Sequence, residues 1–311
     1  MRASSPVPVL GFSPGRSAAE RPPLRRGASL GLAIYLAVAA GSAQAGSAER
    51  GGEIFALAGG CGCHTGTGSV GAGGAEIATP FGKFYATNIT PDASTGIGGW
   101  SDDEIEAAIR RGILQGGEAE SPVMPYYWYA GMSDADVADL IAYLRALPAV
   151  QRENRPHEGE LPLARWAYDG WRLLFADLPA SPATAPAGGI ARGRYLVDHV
   201  SLCADCHTAR TALGAVDRSL YLAGTSEGPG GDPVPNITPH PTGIADWDAD
   251  DIMNVLVSGM LPNFDNVQGA MADVVDGVGG GPGYKDAAES DRRAIAEYLR
   301  TVAPVEHQVD E

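Results

Sequence analysis

Apolar positions along the chain recur at helical spacing. Val137, Leu140, Ile141, Leu144 and Leu147 make one stripe at intervals of three and four, and Ile295, Tyr298, Leu299 and Val302 make another. Each stripe closes a stretch with the same layout. A short helix begins near Arg50 or Gly193 and is followed by a long Gly/Pro-rich loop. A second helix starts just after Trp100 or Trp247. Ser101 with Glu104, and Asp248 with Asp251, stand at capping-box spacing at that start. Neither stretch shows a convincing strand-type alternation. The pattern predicts an all-α protein of short helices and long loops.

The two stretches are copies of one unit. Asn88-Ile89-Thr90-Pro91 recurs as Asn236-Ile237-Thr238-Pro239. Thr95-Gly96-Ile97 with Trp100 recurs as Thr242-Gly243-Ile244 with Trp247, an offset of 147 that also pairs Ile105, Ile109 and Gly112 with Ile252, Leu256 and Gly259. Upstream, Arg50-Gly51 matches Arg192-Gly193, and Cys63-His64 matches Cys206-His207. The units span 46–150 and 190–311. Between them lies 151–189, aromatic from Leu161 to Leu178 and Ala/Pro-rich from Pro179 to Gly189. The aromatic part is expected to pack between the units; the alternative is a surface lying on a membrane or a partner subunit.

Residues 1–45 read as a secretory leader. Arg21, Arg25 and Arg26 precede the uncharged apolar run Leu30–Ala40, and Ala43-Gln44-Ala45 supplies a cleavage signal after Ala45. Export to the periplasm is the expectation. The whole chain of 311 residues carries a formal charge of −16. Removal of Arg2, Arg16, Arg21, Arg25, Arg26 and Glu20 leaves 17 basic and 37 acidic residues, or −20. Such a chain lacks the basic face a nucleic-acid binder needs. With 42 glycines and 23 prolines, each unit of roughly 110 residues has too little helix to bury a sufficient core alone. Something else must fill it.

The cysteines say what. Cys203-Ala204-Asp205-Cys206-His207 is the C-x-x-C-H motif of c-type haem attachment. Thiols at i and i+3 share one side of a helical turn, where both can add to the vinyl groups on one porphyrin edge. The adjacent His207 then supplies the proximal iron ligand. Zinc would call for further paired ligands, and a redox dithiol does not call for the histidine. The first copy, Gly60-Cys61-Gly62-Cys63-His64, has one residue fewer between its cysteines. Residues at i and i+2 do not face the same way on a helix. Two thioethers there require a distorted turn, which Gly59, Gly60 and Gly62 permit; the other option is one bond through Cys63, with Cys61 free. Two covalent haems are expected, the first on His64.

The repeat also selects sixth ligands. Of Met124, Met132, Met253, Met260 and Met271, only Met124 and Met271 coincide at the 147 offset, each 12 residues past its glycine. Met260 is the reserve in the second unit. Thioether ligation favours reduced iron and raises the potential.

The chain resembles the diheme cytochromes c that serve periplasmic dehydrogenases of alcohols, aldehydes and sugar acids as subunits or partners. The resemblance rests on Thr79-Pro80-Phe81-Gly82, Asn88–Pro91, Gly96-Ile97 with Trp100 and Met124-Pro125-Tyr126 in the first unit. In the second it rests on Cys203–His207, Pro235–Pro239, Gly243-Ile244 with Trp247 and Met271–Val275. The contracted Cys61-Gly62-Cys63 departs from the family pattern. The resemblance implies two tandem class I cytochrome c domains. It also implies a carrier that takes single electrons from a periplasmic dehydrogenase and passes them to a downstream cytochrome or oxidase. No second catalytic constellation is visible; the competing reading is a diheme enzyme of the peroxidase or thiosulfate-oxidising type.

Overall fold

The computed structural model describes residues 46–66, 68–159, 164–182, 184–228 and 231–309; the leader lies outside them. The first half contains α1 (Ala48–Leu57), a 3-10 turn (Gly59–His64), β1 (Glu76–Thr79), β2 (Gly82–Tyr85), α2 (Asp102–Arg111), the short α3 (Tyr126–Tyr129) and α4 (Asp134–Ala146). Next is α5 (Ala164–Phe175). The second half contains α6 (Gly189–His199), α7 (Cys203–Cys206), α8 (Ala249–Ser258), α9 (Gly269–Asp276) and α10 (Glu289–Leu299). No helix among the described residues is long and apolar enough to cross a membrane.

The helices start where their caps dictate. Ser101 accepts from the Glu104 backbone N–H while Glu104 accepts from that of Ser101, and Asp248 with Asp251 repeats the arrangement. Both helices end on a left-handed glycine, Gly112 at φ 59° and Gly259 at φ 71°.

One helix crossing occurs twice. α1 packs on α4, and α6 packs on α10. A side-chain carbon at Gly51 would lie 1.9 Å from the Asp139 carbonyl oxygen, and one at Gly193 would lie 1.9 Å from that of Ala294. Glycine is therefore required at both crossings. The long loops repeat as well. Asn88 donates to Thr95 Oγ1 (3.2 Å) and to the Val150 carbonyl (2.7 Å), while its Oδ1 accepts from the Thr90 N–H (2.9 Å). Asn236 donates to Thr242 Oγ1 (3.0 Å) and to the Val305 carbonyl (2.9 Å), and accepts from the Thr238 N–H (2.8 Å). A buried amide thus ties each loop to the end of its unit.

One expectation fails. The chain is mostly helical but holds a two-stranded antiparallel hairpin, with Glu76 opposite Tyr85 and Thr79 opposite Gly82. Four-residue strands are too short to show alternation, and only Phe84 and Tyr85 are buried. The 151–189 segment divides its roles. Trp171 packs on Tyr127, ring centres 5.4 Å apart, and donates to the Leu213 carbonyl, so α5 does bridge the halves. Trp166, Leu173 and Leu174 of the same helix face solvent.

Candidate haem-attachment turns

The second cysteine turn follows α6. Leu202 takes a left-handed conformation, φ 55°, and the chain then turns once as α7, with His207 N–H donating to the Cys203 carbonyl (2.8 Å). Cys203 and Cys206 are thereby placed at helical i, i+3 spacing, as the sequence predicts. The His207 Nδ1–H donates to the Pro235 carbonyl (2.8 Å), and the His207 carbonyl accepts from Gly224 N–H (2.8 Å). Burial lowers the imidazole pKa. The ring is therefore neutral, with its Nε2 lone pair free to bind a metal.

The first turn reaches the same end by a distorted path. It is a 3-10 turn in which Gly59 (φ 64°), Gly60 (φ 61°) and Cys61 (φ 43°) are all left-handed. This is the distortion that the contracted spacing calls for, and two of its three positions are glycines. Its histidine has the same surroundings as its counterpart. The His64 Nδ1–H donates to the Thr87 carbonyl (2.8 Å), Gly73 N–H donates to the His64 carbonyl (2.6 Å), and burial lowers the ring's pKa.

None of the four cysteines is in a disulfide. Burial, more than any neighbour, pushes Cys61 up to about 12 and raises Cys63, Cys203 and Cys206 as well. A redox dithiol needs a lowered thiol pKa, so that chemistry does not fit. Among the described residues no three His, Cys, Asp or Glu side chains converge as a metal-ion cage, so a zinc site does not fit either. What remains is two pairs of neutral thiols, each beside a neutral imidazole held through Nδ1. That donor set fits covalently bound haem c.

The methionines separate by environment. Met132 and Met253 are buried core residues. Met260 sits in an exposed loop, opposite Asn266. Met124, at the turn before α3, and Met271, in α9, are both partly buried against the core. The Tyr126 hydroxyl, two residues past Met124, is buried without a partner among the described residues, as an acceptor on a bound group would remedy.

Several contributors carry no sequence signal. The carbonyls of Thr87 and Pro235 orient the imidazoles, yet any residue could supply them. Trp100 and Trp247, which the repeat does single out, are partly buried against the core. Tyr129 is buried close to both turns; its hydroxyl is held protonated by burial and, secondarily, by Cys61, Asp205, Cys63 and Cys206.

Comparison with known proteins identifies the family. The cytochrome c family model matches residues 48–148, the half with the contracted motif. The diheme cytochrome c-type protein of Cereibacter sphaeroides is 40% identical over 273 residues, covering 84% of this chain and 88% of that protein. The chain belongs to the diheme cytochrome c family. The cytochrome is also 36% identical over 286 residues to the gluconate 2-dehydrogenase cytochrome c subunit of Pantoea cypripedii, covering 88% of the chain and 63% of that subunit. It is 34% identical over 305 residues to the cytochrome c subunit of the quinone-dependent alcohol dehydrogenase of Gluconobacter oxydans, covering 91% and 61%. The chain thus spans less than two thirds of both dehydrogenase subunits.

Proposed function

We propose that this cytochrome is an exported diheme electron carrier that accepts single electrons from a periplasmic dehydrogenase and delivers them to a downstream cytochrome or oxidase. Residues 46–150 and 190–311 are read as two class I cytochrome c domains joined by 151–189, with the leader cleaved after Ala45. The observation that carries this reading is duplication at the site itself. His64 and His207 each donate Nδ1–H to a carbonyl, and each has its own carbonyl bonded to a glycine N–H.

When bound, haem c supplies an iron that changes oxidation state by one electron. The chain's own residues do the rest. Cys203 and Cys206 would hold the second group, and Cys61 and Cys63 the first. His64 and His207 offer Nε2 in a fixed direction, because the Nδ1 bond sets tautomer and ring orientation. Met124 and Met271 would supply the thioether donors. The Asn88 and Asn236 braces hold the loops whose Thr87 and Pro235 carbonyls accept the imidazole Nδ1–H bonds. The relatives are dehydrogenase subunits and a diheme cytochrome, which favours the carrier over a peroxidase or thiosulfate-oxidising enzyme.

The ligand assignment has a direct test. Met271→Ala should remove the thioether-to-iron charge-transfer band of the second haem and lower its potential. Met260→Ala, in its exposed loop, should leave band and potential in place. The opposite result in optical redox titrations would transfer the ligand role to Met260.

A further inference from the structure

Each cysteine turn is covered by the other half of the molecule. A side-chain carbon at Gly60 would lie 2.5 Å from the Pro282 carbonyl, and one at Gly59 would lie 3.2 Å from a Val274 methyl. In return, the second turn is gripped by α3. Asp205, between the two cysteines, accepts from Trp128 Nε1 (2.9 Å) and Tyr127 Oη (3.2 Å). Arg210 donates to Tyr127 Oη (2.6 Å), pairs with Asp205, and stands 5.8 Å from the Tyr127 ring centre. The Asp205 and Arg210 side chains are only 19% and 34% exposed. The pair has no counterpart in the first turn: counting from the histidines, Asp205 falls on Gly62 and Arg210 on Thr67. One attachment turn therefore carries a screened carboxylate–guanidinium pair, and the other carries no charge at these positions.

We propose that Asp205 and Arg210 are positioning residues that lock the second cysteine turn to α3 and set the potential of the second haem apart from that of the first. This rests on the two-haem reading above. Ferric haem carries one more positive charge than ferrous haem. A nearby carboxylate therefore favours the oxidised state and a nearby guanidinium the reduced one, most strongly where water is excluded. With both present the effects oppose; with one removed, the other acts alone.

The test is optical redox titration of the full, haem-loaded chain, with haem count checked by intact mass. Asp205→Asn keeps an acceptor for Trp128 and Tyr127 and should shift the second potential upward. Arg210→Gln should shift it downward. Arg210→Lys, which keeps the charge but loses the planar fork, should bring it back toward the native value. The Met271 band should persist in all three, and the first potential should move less. If Arg210→Gln does not mature, Asp205→Asn and Arg210→Lys still decide the outcome. Shifts of the same sign in Asp205→Asn and Arg210→Gln, as simple opening to water would produce, overturn the proposal, and so does no shift at all. A single haem on the Cys203–Cys206 peptide would overturn the two-haem reading while leaving the sign test intact.

Discussion

At the scale of single residues, burial favours the neutral form of several groups that have no ion-pair partner. Burial lowers the pKa of the His64 and His207 rings and raises that of the Cys61, Cys203 and Cys206 thiols. Glu120 follows the same rule, since burial pushes its carboxyl up to about 8. The sign of its effect on stability follows. Between the usual carboxylate range and pH 8, the native state holds a proton that the unfolded chain has released, so stability falls as pH rises. Glu120→Gln is neutral at every pH. It should be more stable than the native protein at pH 8, on the order of 2 kcal/mol, with the advantage fading toward pH 4 in urea unfolding series. An advantage that grew on acidification would contradict the assignment.

At the scale of elements, the fold is two helix crossings and two braced loops, and each rests on a small residue or a buried amide. Gly193→Ala places a carbon 1.9 Å from the Ala294 carbonyl, so α6 and α10 must separate. The loss should be at least about 2 kcal/mol in a thermal or denaturant melt. A melting point unchanged by the substitution would mean that the crossing is not as tight as described. Much at this scale was legible in the sequence. The capping boxes at Ser101 and Asp248, the stripes on α4 and α10 and the C-x-x-C-H turn are local signals, and they form locally. The hairpin Glu76–Tyr85 was not legible, because two four-residue strands leave no period to read. Asp205 was equally silent, because its partners Tyr127 and Trp128 lie 78 and 77 residues away. The contracted first motif was half legible. Its glycines announced a distorted turn, while the left-handed conformation of Cys61 itself, φ 43°, has no glycine to announce it.

At the scale of the whole molecule, acid predominates. The full chain carries −16, and the portion from residue 46 carries −20 before any haem propionate is counted. A field of that sign steers a basic partner and is screened by salt. The rate constant for electron transfer with the partner dehydrogenase or the downstream acceptor should fall as ionic strength rises from about 0.01 to 0.15 M, where the screening length shrinks from roughly 30 to 8 Å. A flat or rising salt dependence with both partners would assign docking to apolar surface. The central claim is that both cysteine turns, regular and contracted, carry haem, and intact mass tests it most directly. Protein matured in a host with c-type assembly machinery should have the mass of residues 46–311 plus two haems, one on the peptide containing Cys61 and Cys63 and one on that containing Cys203 and Cys206. A mass with a single haem, confined to the second peptide, would contradict the account.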